Sequence, residues 1–256
     1  MSGNARIDLT NVDMYYPSKV YNATTIRQEL FALLKLEKRK KELDNVHALK
    51  NIDLHIKPGE RVGVIGRNGS GKSTLLKTIA GVYPIESGDL TVEGKIMALF
   101  DIILGFDLES TGRENIMYRG LLLGATPDEI RERTQEIIDF SELGDFIEYP
   151  IKTYSSGMLV RLAFSVSTSL PGQILLLDEV IAAGDLGFIG KAQKRMMSLI
   201  DEAEMMVFVT HNLDMAQEIC NRIVLLNRGV IIDDGKPEEV INHYKAIMES
   251  ESDKNG

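Results

Sequence analysis

The 256-residue sequence contains one cysteine, Cys220. A lone thiol excludes an internal disulfide and any metal cluster built on several cysteines, which suits a reducing compartment. Following Ile219 on a helical pattern, it reads as a small core residue. No apolar run approaches the roughly eighteen residues that a spanning helix needs, and residues 1–6 carry no apolar signal region. Any membrane role is therefore expected through a partner or a peripheral contact. Positive charge is in deficit: 29 Lys and Arg stand against 38 Asp and Glu, a formal net charge of −9. That balance argues against non-specific nucleic-acid binding, which is built from Lys and Arg contacts to phosphate. Internal repeats and low-complexity tracts are also lacking. With 44% hydrophobic and 26% charged residues, the chain can bury one core, or a core plus a small subdomain, and reads as one functional unit.

What is present centres on Gly66-Arg67-Asn68-Gly69-Ser70-Gly71-Lys72-Ser73-Thr74, in which four residues separate two glycines that precede Lys and Ser. An apolar run at 62–65 leads in and a helical pattern at 75–80 leads out, the strand, loop and helix context of a phosphate loop. Its glycines let backbone amides wrap a phosphate at a helix N-terminus that carries partial positive charge. Lys72 is placed to reach the β- and γ-phosphates, and the Ser73 hydroxyl to ligate Mg²⁺. A nucleoside triphosphate is the expected ligand.

Two later strands end in chemistry. The apolar run 174–177 reads as a parallel strand covered on both faces, and it delivers Asp178-Glu179 at the carboxyl end, where open α/β sheets bind ligands. Asp178 is expected to hold Mg²⁺, directly or through water, and Glu179 to orient the attacking water. The run 206–209 ends in Thr210-His211, which makes His211 a candidate sensor of the γ-phosphate. At the other end of the chain, Ile7, Leu9 and Val12 predict a strand that closes at Tyr15-Tyr16-Pro17. An aromatic there could stack on an adenine ring or simply pack at the strand end.

Between these, Leu49, Ile52, Leu54 and Ile56 predict a strand closed by Lys57-Pro58-Gly59-Glu60, and short strands around 89–93 and 95–99 join at Gly94. The stretch 24–41 has helical period, with Ile26, Leu30, Leu33 and Leu34 on one face and Lys38, Arg39, Lys40 and Lys41 at its far end. This is either an ordinary surface helix with a basic last turn or a contact for anionic lipid or a membrane subunit. Residues 105–170 read as a helical insert, with a strong helix start at Thr126-Pro127-Asp128-Glu129. A helix at 213–220, a hairpin turning at Arg228-Gly229, a helix from Pro237 to about Met248 and a polar tail at 249–256 complete the chain. The expected architecture is a layered α/β protein with an antiparallel edge.

Phosphate loops serve many folds, so the loop alone does not name a reaction. Tyr154-Ser155-Ser156-Gly157-Met158, followed by a helical run to Leu170, narrows the choice. It resembles the signature of ABC-transporter ATPases, which usually reads Leu-Ser-Gly-Gly-Gln. With the phosphate loop, the acidic pair, His211, and Asp185 in Ala183-Gly184-Asp185, the resemblance covers nearly the whole chain. It implies one ABC ATPase domain, with a nucleotide-binding core at 1–104 and 171–248, an antiparallel β subdomain and an inserted helical subdomain. It also implies a head-to-tail dimer closed by ATP, in which Ser155, Ser156 and Gly157 meet the γ-phosphate bound to the other subunit and Asp185 lines the seam.

Within the family, the Tyr-Ser-Ser-Gly-Met variant, Thr111-Gly112-Arg113-Glu114-Asn115 and the insertion after Tyr16 look like the ATPases that export lipid-linked polysaccharide such as O-antigen. Capsule and teichoic acid exporters are near relatives. This carry-over puts Tyr16 on adenine, lays 24–41 against the membrane, and places the protein peripherally on the cytoplasmic face of the bacterial inner membrane beside a multi-span permease. Asp101 stands where most ABC ATPases have a Gln that contacts Mg²⁺ and the permease, and is a further candidate metal residue. Some O-antigen exporters add a C-terminal carbohydrate-binding domain, for which 256 residues are expected to leave no room. An import ATPase shares the same catalytic motifs. A soluble ABC protein acting on ribosomes or DNA is disfavoured because neither two cassettes nor a long coiled coil is present.

Overall fold

The computed structural model describes residues 5–16, 46–178 and 186–252. The stretch 24–41, Glu179, Asp185 and the tail beyond 252 lie outside the described residues. The strands, in chain order, are β1 (Arg6–Tyr16), β2 (Val46–Ile56), β3 (Arg61–Ile65), β4 (Ser87–Glu93), β5 (Ile96–Leu99), β6 (Ile174–Asp178), β7 (Met205–Val209), β8 (Arg222–Asn227) and β9 (Val230–Gly235). The helices are α1 (Lys72–Ile79), α2 (Gly112–Leu122), α3 (Pro127–Ser141), α4 (Ser156–Ser169), α5 (Leu186–Glu202), α6 (Leu213–Ile219) and α7 (Pro237–Ser252).

These strands form two sheets. One is three-stranded and antiparallel, in the order β2-β1-β4; the other is six-stranded, in the order β5-β6-β7-β3-β8-β9. In the larger sheet every pair is parallel except β8 with β9, which closes the edge as a hairpin. Helix α1 packs between the sheets: Leu75, Leu76 and Ile79 share one core with Leu9 and Ile52 of the small sheet and Val62, Leu176 and Val207 of the large one. Successive residues of β6 alternate between cores, Leu176 facing α1 and Leu175 and Leu177 facing α5 and α7. Burial on both faces explains why the run is continuously apolar.

The small sheet shows how a three-residue apolar spacing stays on one face. In β1 the buried residues are Ile7, Leu9, Val12 and Met14, and in β2 they are Leu49, Ile52, Leu54 and Ile56. A strict two-residue period would flip Val12 and Ile52 outward. Instead Asn11 and Asn51, each at φ 48°, take the left-handed conformation that Asn tolerates, and each absorbs the extra residue as a bulge. Gly94 joins two short strands, as expected, and also marks the passage from one sheet to the other. The strands it joins do not pair with each other: β4 lies on β1 in the small sheet, and β5 lies on β6 in the large one. Helix α7 also continues to Ser252, so it includes the first residues of the stretch expected to be a tail.

Residues 112–169 form a third cluster, centred on Ile116, Ile130, Ile137, Leu162 and Val166. Its helices begin as the sequence implies. Thr111 caps α2 with Glu114 in reciprocal bonds, and Thr126 caps α3 with Glu129 and Pro127. Helix α4 ties this cluster to the sheet, because Leu162 and Val166 face the insert while Phe164 packs edge-on against Phe188 of α5 at 6.0 Å. Among the described residues no helix is long and apolar enough to cross a membrane. Cys220 is buried, and burial pushes its thiol pKa up to about 12. Truncating the buried Phe164 to Ala should cost about 3–5 kcal/mol of stability, read as a lower urea midpoint; an unchanged midpoint would mean that the helical cluster is not anchored through this ring.

Candidate nucleotide site

The site begins where the order of the central strands, β6-β7-β3, brings three carboxyl ends side by side. Strand β3 runs into the phosphate loop, β6 ends at Asp178, and β7 leads to Thr210 and His211. A cavity of about 590 Å³ opens there, lined by Asn68, Gly69, Gly71, Lys72, Ser73, Thr74, Asp178, Val209, Thr210 and His211. Residues more than 100 positions apart thus share one wall.

Close packing shapes the loop itself. Gly66 sits at φ 147°, and a Cβ there would lie 2.1 Å from the Leu226 carbonyl oxygen of β8. Gly71, at φ 107°, faces the Ala48 carbonyl of β2, with 2.9 Å left for a Cβ. The turn between β8 and β9, with Arg228 and Gly229 both at positive φ, comes up beneath, and Gly229 N–H donates to the Ser70 carbonyl at 2.8 Å. Gly229 in turn accepts from Lys50 N–H at 2.8 Å. Sequence reading identified the turn but not its role as the support of the loop. Only the positive-φ pattern of Arg228-Gly229 hinted at it.

Helix α1 starts at Lys72 with no acidic residue in its first turn, so nothing on the helix offsets the positive field at its N-terminus. The Lys72 ammonium donates to the carbonyls of Gly66 at 2.8 Å and Arg67 at 3.0 Å, folded along the loop it would serve. The Ser70 hydroxyl is buried and has no hydrogen-bond partner among the described residues. Ser73 Oγ donates to Asp178 Oδ2 at 3.2 Å. A hydroxyl and a carboxylate this close are hard oxygen donors of the kind that hold Mg²⁺ together with water and substrate phosphate. Among the described residues there is no group of three or more His, Cys, Asp or Glu able to hold a metal, and an Mg²⁺ site completed by phosphate needs none.

Other expected residues lie elsewhere. Tyr16 is not on the cavity wall; its hydroxyl is 3.2 Å from Thr74 Oγ1 and its ring meets Tyr83 edge-on at 5.2 Å. Burial raises its pKa, outweighing the Thr74 hydrogen bond, which lowers it. Asp101, the further candidate metal residue, is not among the residues lining the cavity. It sits at φ 46° just past β5, and its carboxylate is bound to Lys77 at 2.5 Å rather than drawn to Ser73 and Asp178. That pairing raises the Lys77 pKa. Ser155, Ser156 and Gly157 form the N-terminus of α4, where Ser155 caps its own helix by accepting from Met158 N–H at 3.2 Å. Asn115, in the stretch Thr111-Gly112-Arg113-Glu114-Asn115, is fully buried and structural. Its amide donates to the carbonyls of Asp107, Ser110 and Thr111 and accepts from Asp107 N–H.

The sequence profile described as "ABC transporter" matches residues 49–182, from within β2 to just past the acidic pair. The chain belongs to the ABC transporter family. An O-antigen export system ATP-binding protein, RfbE of Yersinia enterocolitica, is 42% identical over 229 residues, covering 88% of this chain and 95% of the relative. RfbB of Myxococcus xanthus is 45% identical over 225 residues, but this chain spans only 52% of its length. A teichoic acids export ATP-binding protein, TagH of Lactococcus lactis, is 40% identical over 202 residues, 79% of this chain and 43% of the relative. In fold, this ABC ATPase resembles a post-hydrolysis dimer of an ATP-binding cassette bound to ADP and Pi, at a TM-score of 0.65 and 23% identity over 90% of this chain and 98% of that one.

Because Gly66 leaves no room for a side chain, Gly66→Ala should displace the loop from Leu226 and abolish ATP binding. The ATP-induced rise in melting temperature seen with the unaltered chain should vanish, and an unchanged rise would show that the close packing is not required.

Proposed function

We propose that this chain is the ATP-hydrolysing subunit of an ABC transporter that exports lipid-linked polysaccharide of the O-antigen type. The observation that carries the reading is the meeting of Lys72, Ser73, Asp178 and His211 in one cavity at the N-terminus of α1. ATP is the expected substrate, its phosphates lying on the loop amides. Lys72 leaves the loop carbonyls to take the β- and γ-phosphates, and His211 meets the γ-phosphate from the end of β7. Glu179 follows Asp178 in sequence and takes the role of orienting water. Ser73 and Asp178 are the groups that would hold Mg²⁺, which when bound neutralises charge on the β- and γ-oxygens. Tyr16, tethered to Thr74 at the last position of the loop motif, is left to meet the base.

A head-to-tail dimer is supported by Gly157. A Cβ there would meet only Ser155 Oγ, at 3.9 Å, and its φ is not positive, so the fold of this chain does not require glycine at that place. The first turn of α4 is also free of acids. Open space, a hydroxyl and a helix N-terminus together suit a phosphate presented by a second copy. A permease is supported by a hollow of about 270 Å³ between α1, β5 and α2, walled by Val82, Phe100, Leu104 and Leu122. Leu104 is 67% and Leu122 65% exposed, an apolar surface suited to a membrane subunit. In that assembly the chain sits peripherally on the cytoplasmic face of the membrane. The relatives named for O-antigen export favour that cargo, and the similarity to TagH favours teichoic acid as the second reading.

Lys72→Ala removes the cation that meets charge developing on the transferred phosphate, so ATP turnover should fall by about 10³-fold or more; near-normal phosphate release in the purified variant would sink the assignment. Gly157→Asp separates dimer chemistry from folding. An acid in the first turn of α4 should leave the melting temperature unchanged or raise it slightly through the helix dipole. The same charge repels a γ-phosphate, so turnover and the ATP-dependent dimer, trapped by Glu179→Gln in sizing experiments, should both be lost. Retention of that dimer would rule against the sandwich.

A further inference from the structure

The Lys77–Asp101 pair joins two parts of the chain that the nucleotide chemistry leaves unconnected. Lys77 is in the last turn of α1, the helix that begins at the phosphate loop. Its ammonium meets Asp101 and also lies 5.9 Å above the ring of Tyr83, against which Tyr16 packs. Asp101 begins the segment that leads from β5 to the helical insert. The Asp101 carbonyl accepts from Leu104 N–H at 2.8 Å, and the Leu104 carbonyl accepts from Arg119 Nη1 of α2 at 2.6 Å. Arg119 is only 7% exposed, and among the described residues its Nε has no hydrogen-bond partner, so the Leu104 carbonyl, together with the nearby Asp101 charge, orients its guanidinium. A continuous polar brace therefore runs from α1 through Asp101 and Leu104 to α2.

The brace holds a segment that would otherwise have little to fix it. Ile103 and Leu104 are exposed, and Asp101 turns the chain through the left-handed region, which Asp, like Asn, visits more readily than other residues with a side chain. Its carboxylate is held there by Lys77. The pair is half-shielded: the Lys77 side chain is 21% exposed and lies over the Tyr83 ring, while that of Asp101 is 49% exposed.

We propose that Asp101 is a positioning residue. Its ion pair with Lys77, continued through Leu104 to Arg119, sets the angle at which the helical insert presents Ser155–Gly157 to a second copy. This rests on the dimer reading above, and it assigns Asp101 a role other than metal ligation.

Three measurements test it. Lys77→Met and Asp101→Asn should each lower the saturated turnover rate about tenfold while leaving the Mg²⁺ concentration for half-maximal rate unchanged. The exchange Lys77→Asp with Asp101→Lys should restore most of the rate. A rise in the Mg²⁺ requirement, with full rate regained at high Mg²⁺, would make Asp101 a metal ligand and overturn the proposal. Failure of the exchange to rescue, in folded protein that binds a fluorescent ATP analogue, would overturn it as well. The third measurement does not depend on turnover. Spin labels on Glu132→Cys of α3 and Glu218→Cys of α6, with the buried Cys220 left in place, should show one narrow distance that broadens in Asp101→Asn. An unbroadened distance refutes the brace whether or not the chain proves to be an ATPase, whereas loss of turnover in every form with normal broadening would count only against the ATPase reading.

Discussion

The structure depends on how closely the backbone of the phosphate loop packs against its neighbours. Gly66 rests on the Leu226 carbonyl, Gly71 on the Ala48 carbonyl, and Gly229 supports Ser70 from below. The Leu226 and Ala48 carbonyl oxygens crowd Gly66 and Gly71, and the N-terminus of α1 opens at the cavity, where Gly69, Gly71 and Lys72 line the wall. The shape that receives phosphate is thus set by β2, β8 and the β8–β9 turn, none of which carries a catalytic group. Buried strands on either side, β7 and β8, pair with β3 and hold in place the strand that leads into the loop.

Chemistry is added to that frame from a distance. Asp178 lies 105 residues beyond Ser73 yet is hydrogen-bonded to it, because β6 and β3 flank β7 with their carboxyl ends level. His211 arrives from the intervening strand. Three aligned strand ends therefore supply a cation, a hydroxyl, a carboxylate and an imidazole without any long loop having to fold over the site. The helical insert has its own core and reaches the sheet through α4 and through the short polar path at Asp101. Its signature turn faces outward, which is why the site of a single chain holds the phosphate loop and the strand-end groups but not Ser155 and Gly157.

Much of this was readable from short-range pattern. The phosphate loop, the two strands buried on both faces, the caps at Thr111 and Thr126, and the turn at Arg228-Gly229 are each coded within a few residues, by glycine position, apolar period or capping chemistry. Where the pattern was ambiguous, geometry resolved it. The three-residue spacings in β1 and β2 needed bulges at Asn11 and Asn51, and residues that favour the left-handed region were already there to make them. The sequence showed that two short strands join at Gly94 but not their partners, which lie in different sheets.

The sequence by itself determined that this chain binds a nucleoside triphosphate, and through its ordered motifs that it is an ABC ATPase, because glycine spacing and hydroxyl and carboxylate identity are local facts. Only the tertiary structure decided that Ser73 meets Asp178, that Asn115 is a structural clamp, and that Asp101 pairs with Lys77. These are contacts between segments far apart in the chain. Their partners are selected by the packing of α1 between two sheets and by the close approach of backbones, neither of which leaves a signature in the residues taken one stretch at a time.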